Sequence, residues 1–301
     1  MKHFLLSLLT FNQLIALDTI HIYHCYGNDE TLIVEGRVLD PREFKEAHEK
    51  DNIFVNLWRK LGQIFNDERK NVDVTLQVGK RTFHTQSDDE GYFEFELTFP
   101  PHTLKPHQPI EISLTKEPQV KSTCCAYILS DQKQTGIISD FDDTVIVSNV
   151  TNKLKLAYEL LLKNYKQREA VNGMAERYKR ILEKSPNKPL FFITGSPKQF
   201  NEAIHKFLDY HHFPKRTLIT KKIHGEDAYS VFKQHSYKSE QIETILKLYP
   251  QIEWVLFGDS GEQDREIYLD IAKKYPGQIK EIYIRDVQTG QIEKIYPKDQ
   301  R

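Results

Sequence analysis

Two aspartates one residue apart, Asp140 and Asp142, close the short apolar run Gly136-Ile137-Ile138-Ser139 and are followed by Asp143 and Thr144. Carboxylates crowded at a strand end repel one another, so the arrangement is destabilising unless something offsets it. The simplest offset is a hard divalent cation, which takes oxygen ligands. With the charge screened, a pair at i and i+2 can divide the labour of phosphoryl transfer. One carboxylate attacks phosphorus as nucleophile, and the other moves a proton to and from the leaving oxygen. Taken alone, the pattern is explained at least as well by an acidic turn after a strand. Residues further along the chain tip the balance.

Those residues also follow apolar runs. Phe191-Phe192-Ile193 leads into Thr194-Gly195-Ser196-Pro197, and Trp254-Val255-Leu256-Phe257 leads into Gly258-Asp259-Ser260-Gly261-Glu262-Gln263-Asp264. Lys238 opens a helical stretch, 239–248, that feeds the last of these runs. The elements that must position them alternate in type: apolar runs at 136–139, 189–193, 217–219, 254–257 and 281–284, with helical periodicity between them. In 239–248, Ile242, Ile245 and Leu246 share a face, and 266–275 is a second helix. The alternation predicts an α/β unit, a parallel sheet covered by helices on both sides. Ligands of such sheets sit beyond the carboxyl ends of the strands, where the acids, the hydroxyl and the amine fall.

This order of motifs resembles the haloacid-dehalogenase superfamily of phosphotransferases. A strand ends in D-x-D-x-T (Asp140, Asp142, Thr144), and a second ends in a hydroxyl residue (Thr194). A lysine near a helix start follows (Lys238, with Lys233 as the next candidate), then G-D-x-x-x-x-D (Gly258, Asp259, Asp264). Within the superfamily, the chain is similar to the phosphatidate phosphatases of the fungal actin-patch type and their bacterial relatives. That likeness rests on Ser139 to Thr144, on Gly195-Ser196-Pro197, and on the run from Gly258 to Asp264. It continues through Glu266-Ile267-Tyr268 and Ile282-Tyr283-Ile284-Arg285-Asp286-Val287. It spans about residues 130–290 and, more loosely, the stretch Val34-Glu35-Gly36-Arg37-Val38-Leu39. The family's second motif continues Gly-Ser-Pro with Trp; this chain has Lys198, a departure that bears on substrate detail more than on chemistry.

The resemblance implies a Rossmann-like core with a small helical cap and a Mg²⁺ cofactor held by Asp140, the backbone carbonyl of Asp142, and Asp259. Asp264 would orient Asp259 or a water, although it could instead cap the helix that begins near Arg265. Asp140 is the implied nucleophile and Asp142 the acid and base. Thr194 and Lys238 would hold the phosphoryl oxygens, and Thr144, Gly195 and Ser196 would lie against substrate. Asp143 is read as bonding the following loop. Asp286 is read as either closing the site or pairing with Arg285.

The segment 151–185 is read as a cap over the site. It is rich in lysine and arginine and carries an apolar stripe of Leu154, Ala157, Tyr158, Leu161 and Leu162. The stripe alone indicates an ordinary amphipathic helix. With the resemblance, it points to peripheral contact with an anionic membrane.

The preceding part of the chain is different. Residues 18–130 show strand signals at 31–39, 72–78, 80–85, 92–99 and 110–114, with a helix-like insert at 41–65. They resemble a transthyretin-like or carboxypeptidase-regulatory β-sandwich, with a structural or docking role. Residues 131–301 form the phosphatase unit. Residues 1–17 read as a signal peptide, a basic start before an apolar stretch, so the expected location is periplasmic or secreted, with the cytoplasm as the alternative. In an exported protein Cys25 could pair with Cys124 or Cys125; free buried thiols are the default. The twelve histidines show no metal-ligand spacing.

With 42 basic and 43 acidic residues and a net charge of -1, no global field draws the chain to nucleic acid, and none is expected as a partner. The oligomeric state is not encoded legibly. The functional expectation is a Mg²⁺-dependent phosphatase that hydrolyses phosphatidate to diacylglycerol and phosphate. The alternatives are a phosphatase for another phosphomonoester, soluble or protein-bound, and a non-catalytic phosphatidate-binding module.

Overall fold

The computed structural model describes residues 19–39, 69–130, 132–147, 164–222 and 231–296, without the side chains of Thr19 and 231–235. The expected signal peptide, the insert at 41–65, and the apolar stripe of the cap lie outside these residues.

Among the described residues, eight strands come first: β1 (Thr19–Gly27), β2 (Thr31–Leu39), β3 (Asp73–Val78), β4 (Arg81–Gln86), β5 (Tyr92–Thr98), β6 (Pro109–Leu114), β7 (Lys121–Cys125) and β8 (Tyr127–Ile128). They make two small, mostly antiparallel sheets, ordered β5-β2-β1-β8 and β4-β3-β6-β7. The alternation in β5 buries Phe93 and Phe95 and exposes Glu94 and Glu96. That period of two suits a sheet with one wet face. The acidic turn before β5 is ordered by Asp88, whose Oδ1 accepts the amides of Glu90 at 2.9 Å and Tyr92 at 3.0 Å. Between the sheets lies one apolar cluster, with Leu32 and Val34 from one side and Leu76 and Ile112 from the other. All three cysteines are free thiols. Cys25 and Cys124, from different sheets, are hydrogen-bonded, and that contact with burial pushes the Cys25 thiol far up.

The second unit is an α/β sheet of six strands: β9 (Gln134–Ser139), β10 (Leu190–Pro197), β11 (Thr217–Lys221), β12 (Ile252–Asp259), β13 (Ile279–Arg285) and β14 (Ile292–Tyr296). Their order is β11-β10-β9-β12-β13-β14, parallel except for the final pair. Helices α1 (Met174–Leu182) and α2 (Asn201–Tyr210) cover one face through Tyr178, Leu182, Ile204 and Phe207. Helices α3 (Val231–Leu248) and α4 (Asp264–Lys274) cover the other through Ile242, Ile245, Ile267 and Ile271. Within the segment expected as a cap, α1 therefore packs on the sheet. The expectation that Lys238 opens its helix is corrected: α3 begins at Val231 and Lys238 lies well inside it. Ser239 resembles a cap in sequence, but the backbone passes through it without a break.

The two units share a core. Tyr26, Ile33 and Leu129 belong to the same buried cluster as Phe191, Tyr249 and Trp254. The Tyr26 and Phe191 rings meet edge-on at 5.4 Å, and the Tyr249 hydroxyl donates to the Gly27 carbonyl at 3.0 Å.

At the centre of the sheet, Gly136 is required by close packing. A Cβ there would lie 2.5 Å from the Trp254 ring and 3.0 Å from Ile252. Overpacking of a dense core costs about 1–3 kcal/mol. Gly136→Ala should therefore lower the unfolding free energy by about that amount in a denaturant titration.

Candidate active site

Strand order explains how distant motifs meet. From β9 the chain runs outward through β10 and β11, then returns on the other side of β9 as β12. The carboxyl ends of β10, β9 and β12 are thus neighbours at a switch point, and adjacent strands lie about 5 Å apart. Asp140 follows β9 directly, and its amide donates to the Phe257 carbonyl of β12 at 2.9 Å. Thr194 lies in β10, and Asp259 ends β12.

Lys238 reaches this point from α3. Its ammonium lies 2.8 Å from Asp140 Oδ1, 2.7 Å from Asp264 Oδ1 and 2.7 Å from Glu262 Oε2. Asp140, Asp264 and Lys238 are all at most 2% exposed. Asp264 also accepts the Asp259 amide through Oδ2 at 3.3 Å, which fixes the turn after β12. Gly258 makes this approach sterically feasible, because a Cβ there would sit 2.6 Å from the Asp264 side chain. Asp259 Oδ1 accepts the amides of Gly261 at 2.6 Å and Glu262 at 3.2 Å.

Asp142 has a different environment. Its Oδ2 accepts the hydroxyls of Thr194 at 2.8 Å and Ser196 at 3.0 Å, and Thr194 Oγ1 also accepts the Ser196 amide at 3.0 Å. Thr194 and Ser196 are therefore committed to Asp142. The Asp142 carbonyl accepts the Thr144 amide at 2.7 Å. Asp143 adopts a left-handed backbone, φ 55°, and its carbonyl accepts Arg285 Nη1 at 2.8 Å. That clamp turns the chain sharply after the D-x-D pair.

Of the residues singled out from sequence, Asp140, Lys238, Asp259 and Asp264 form one cluster and Asp142, Thr194 and Ser196 a second, joined through the chain at 140–142, and Thr144 is buried. Asp286 instead accepts the amides of Gln288 and Thr289 in its own turn. The side chain of Lys233 lies outside the described residues. His211 packs on Phe207 and bonds the Arg168 carbonyl. Sequence reasoning missed Glu262, the third carboxylate on Lys238, although it sits within G-D-x-x-x-x-D. It named Arg285 only as a possible partner of Asp286, and it gave no site role to Arg168, whose charge opposes the burial of Asp142. Nothing in its spacing marks Arg168.

The electrostatics are lopsided: Asp140, Asp264 and Glu262 share one ammonium, and Asp259 adds a fourth carboxylate to the group. Burial, with the neighbouring acids, drives Asp140 and Asp264 above the usual carboxylate range and pushes Asp259 up to about 8. Burial pulls Lys238 down, but Asp140, Asp264 and Glu262 outweigh it and hold the ammonium well above its ordinary value. Burial also raises Asp142, opposed by Arg168 and the two hydroxyls.

The donor set fits a hard cation. Asp140, Asp259 and Asp264 each offer an oxygen within 4.8 Å of the others. Two of the buried oxygens, Asp140 Oδ2 and Asp259 Oδ2, have no hydrogen-bond partner. Asp264 already serves Lys238 and a backbone amide, so Asp140 and Asp259 carry the unmet demand.

Residues 135–286 match the family described as Phosphatidate phosphatase APP1, catalytic domain. The chain belongs to that family. Phosphatidate phosphatase APP1 of Saccharomyces cerevisiae is 29% identical over 151 residues, which cover 50% of this chain and 25% of that protein. An uncharacterized protein of Schizosaccharomyces pombe is 26% identical over 213 residues, covering 69% of this chain and 35% of its own length. The similarity thus spans only a quarter to about a third of these curated relatives. A carbohydrate acetylesterase from Xanthomonas citri overlays 89% of this chain and 68% of its own at a TM-score of 0.31 and 10% identity, too slight to bear on fold or chemistry.

The raised carboxyl groups predict a pH dependence. An acid whose folded pKa is raised contributes stability below its unfolded value and loses it as pH rises through the folded value. For Asp259 that window runs from 3.8 to about 8. In chelator the melting temperature should therefore fall between about pH 5 and pH 9. Added Mg²⁺ should restore it, more at the higher pH, because binding displaces protons. Asp259→Asn should remove most of the metal-induced rise. A rise independent of pH and retained in that variant would contradict this picture.

Proposed function

We propose that this protein is a haloacid-dehalogenase-type phosphatase that uses Mg²⁺ and releases phosphate from phosphatidate, leaving diacylglycerol. The observation that carries the reading is the pair of buried, unpartnered oxygens on Asp140 and Asp259, set in a three-carboxylate group beside Lys238. Asp140 and Asp259, backed by Asp264, would hold the cation. When bound, it screens the carboxylates from an anionic phosphate and orients that phosphate for attack.

Lys238 pairs with Asp140 Oδ1 and fixes the carboxylate that acts as nucleophile. A carboxylate oxygen of Asp140 bonds to phosphorus as the bond to the lipid oxygen breaks, and the lipid oxygen takes a proton from Asp142. Burial suits Asp142 to carry that proton, and its unpartnered Oδ1 is the atom able to deliver it. Asp142, now ionised, then takes a proton from water. The resulting hydroxide breaks the aspartyl-phosphate, which frees inorganic phosphate and regenerates Asp140. Thr194 and Ser196 orient Asp142 by donating to its other oxygen.

Phosphatidate is favoured by the family, and the first unit is read as a transthyretin-like β-sandwich that supports the catalytic one. A cleft of about 640 Å³ is lined by Lys166, Arg168, Tyr210 and Phe213 among others, and the charge of Arg168 also acts on Asp142. Tyr210 is the exposed large hydrophobic residue among those described. Basic and aromatic groups together suit an anionic lipid surface.

Phosphate release from phosphatidate-containing vesicles and from soluble phosphomonoesters tests the reading. Wild type with Mg²⁺ should prefer the vesicles. Asp140→Asn should abolish release, and Asp142→Asn should reduce it by about 10²–10⁴-fold. Equal release by wild type and Asp140→Asn, or none by wild type on any substrate, rules the proposal out.

A further inference from the structure

The strand end that holds Asp142 runs into a turn anchored in the β-rich first unit. Two residues beyond Ser196, Lys198 opens a single 3-10 turn, Lys198–Phe200. Its side chain is 7% exposed, and its ammonium pairs with Glu35 of β2. The Glu35 carboxylate also faces His24 Nε2 at 3.6 Å. Burial, then the Lys198 charge, pull that imidazole down to about 3, so it is neutral and does not compete for the acid.

Other contacts at this seam repeat the pattern. Lys198 lies 5.4 Å above the Tyr92 ring, and Lys222, just past β11, lies 4.7 Å from the same ring. Lys222 also pairs with Asp88 and, at 3.1 Å, with Glu90. Arg37 stacks 4.5 Å from Tyr92 and donates through Nε to the Glu90 carbonyl at 2.7 Å. Two lysines from the catalytic sheet thus meet acids and an aromatic ring from the other unit. Desolvating a lysine and a glutamate together is weak evidence of stabilisation, because the loss of hydration offsets most of the attraction. Removing one partner, by contrast, leaves a buried charge and displaces whatever it holds.

What Lys198 holds is the end of β10. Two residues span at most about 7 Å, so the ion pair at Lys198 anchors backbone close to the one that carries the Ser196 hydroxyl. Ser196 and Thr194 are the donors to Asp142 Oδ2. We propose that Glu35 is a positioning residue for the reaction. Through Lys198 it fixes the loop after β10 so that the hydroxyls of Thr194 and Ser196 stay on Asp142. The kinetic part rests on the phosphatase reading; the positioning itself does not. Glu35 lies outside the matched residues 135–286, so the first unit completes a site whose acids all belong to the second.

The test uses the full chain with Glu35→Gln, Lys198→Met and the double variant. In Glu35→Gln, amide hydrogen exchange over 194–200 should speed by about tenfold or more while 252–259 stays unchanged. On phosphatidate vesicles kcat should fall about tenfold with KM within about twofold, the split expected when a group acting on the transition state is misplaced. The double variant should lose no more than the worse single variant, because both act through one contact. Glu35→Asp, which keeps the charge on a shorter stem, should retain most of kcat; Lys198→Met, which breaks the same contact, covers the case in which Glu35→Gln does not fold. Unchanged exchange over 194–200 in folded Glu35→Gln or Lys198→Met, or kinetic losses that simply add, would overturn the proposal. If wild type proves inactive on every phosphomonoester, the phosphatase reading falls alone, and the exchange result still decides the positioning.

Discussion

A single ammonium removed from water holds acids from two strand ends in one place. Lys238 touches Asp140, which follows β9, and Asp264 and Glu262, which follow β12. Without it these carboxylates would repel, and burial would protonate them. With it the charge is still unbalanced, and that imbalance shapes the surroundings. Asp259 is drawn up to about 8, and two buried oxygens remain without partners. A centre so short of positive charge is suited to a doubly charged ion and then to a phosphate. The same network requires glycine at 258, where any side chain would collide with Asp264.

Topology brings the acids together, and packing holds the arrangement. Because β9 is central, its two neighbours deliver the hydroxyls from one side and the acids from the other. The β-rich unit contributes to that packing. Its Tyr26 and Ile33 enter the core beneath the catalytic sheet, and Glu35, between Val34 and Gly36 on the same strand, reaches the loop after β10. One strand, β2, therefore serves three neighbours: its own sheet, the shared core, and the loop beside Asp142.

Much of this was legible from the chain. Short apolar runs ending in acids or hydroxyls are a strong signal, because a buried parallel strand is apolar throughout and its end is where polarity resumes. The misread elements have physical reasons. In β1 a bulge between Ile22 and His24 breaks the alternation that would mark a strand. In β14 only Ile295 is buried, so little apolar pattern exists to be read. Helix α2 begins without a side-chain cap, directly from the 3-10 turn. For α3, Ser239 resembles a helix start, yet the helix begins at Val231. The seam at Lys198 could not be anticipated, because Glu35 and Lys198 are far apart in sequence and each alone looks like a surface charge.

The two hydroxyls on Asp142 have a consequence for traffic through the site. Both donate to Oδ2, which leaves Oδ1 as the sole doorway for a proton. On the proposed chemistry, the departing alcohol and the incoming water must use that doorway in turn, from the same flank of the phosphorus. Water cannot enter until the lipid has withdrawn. A greasy product that lingers would therefore shield the acyl-phosphate, and turnover would be paced by how fast diacylglycerol dissolves into whatever surface receives it.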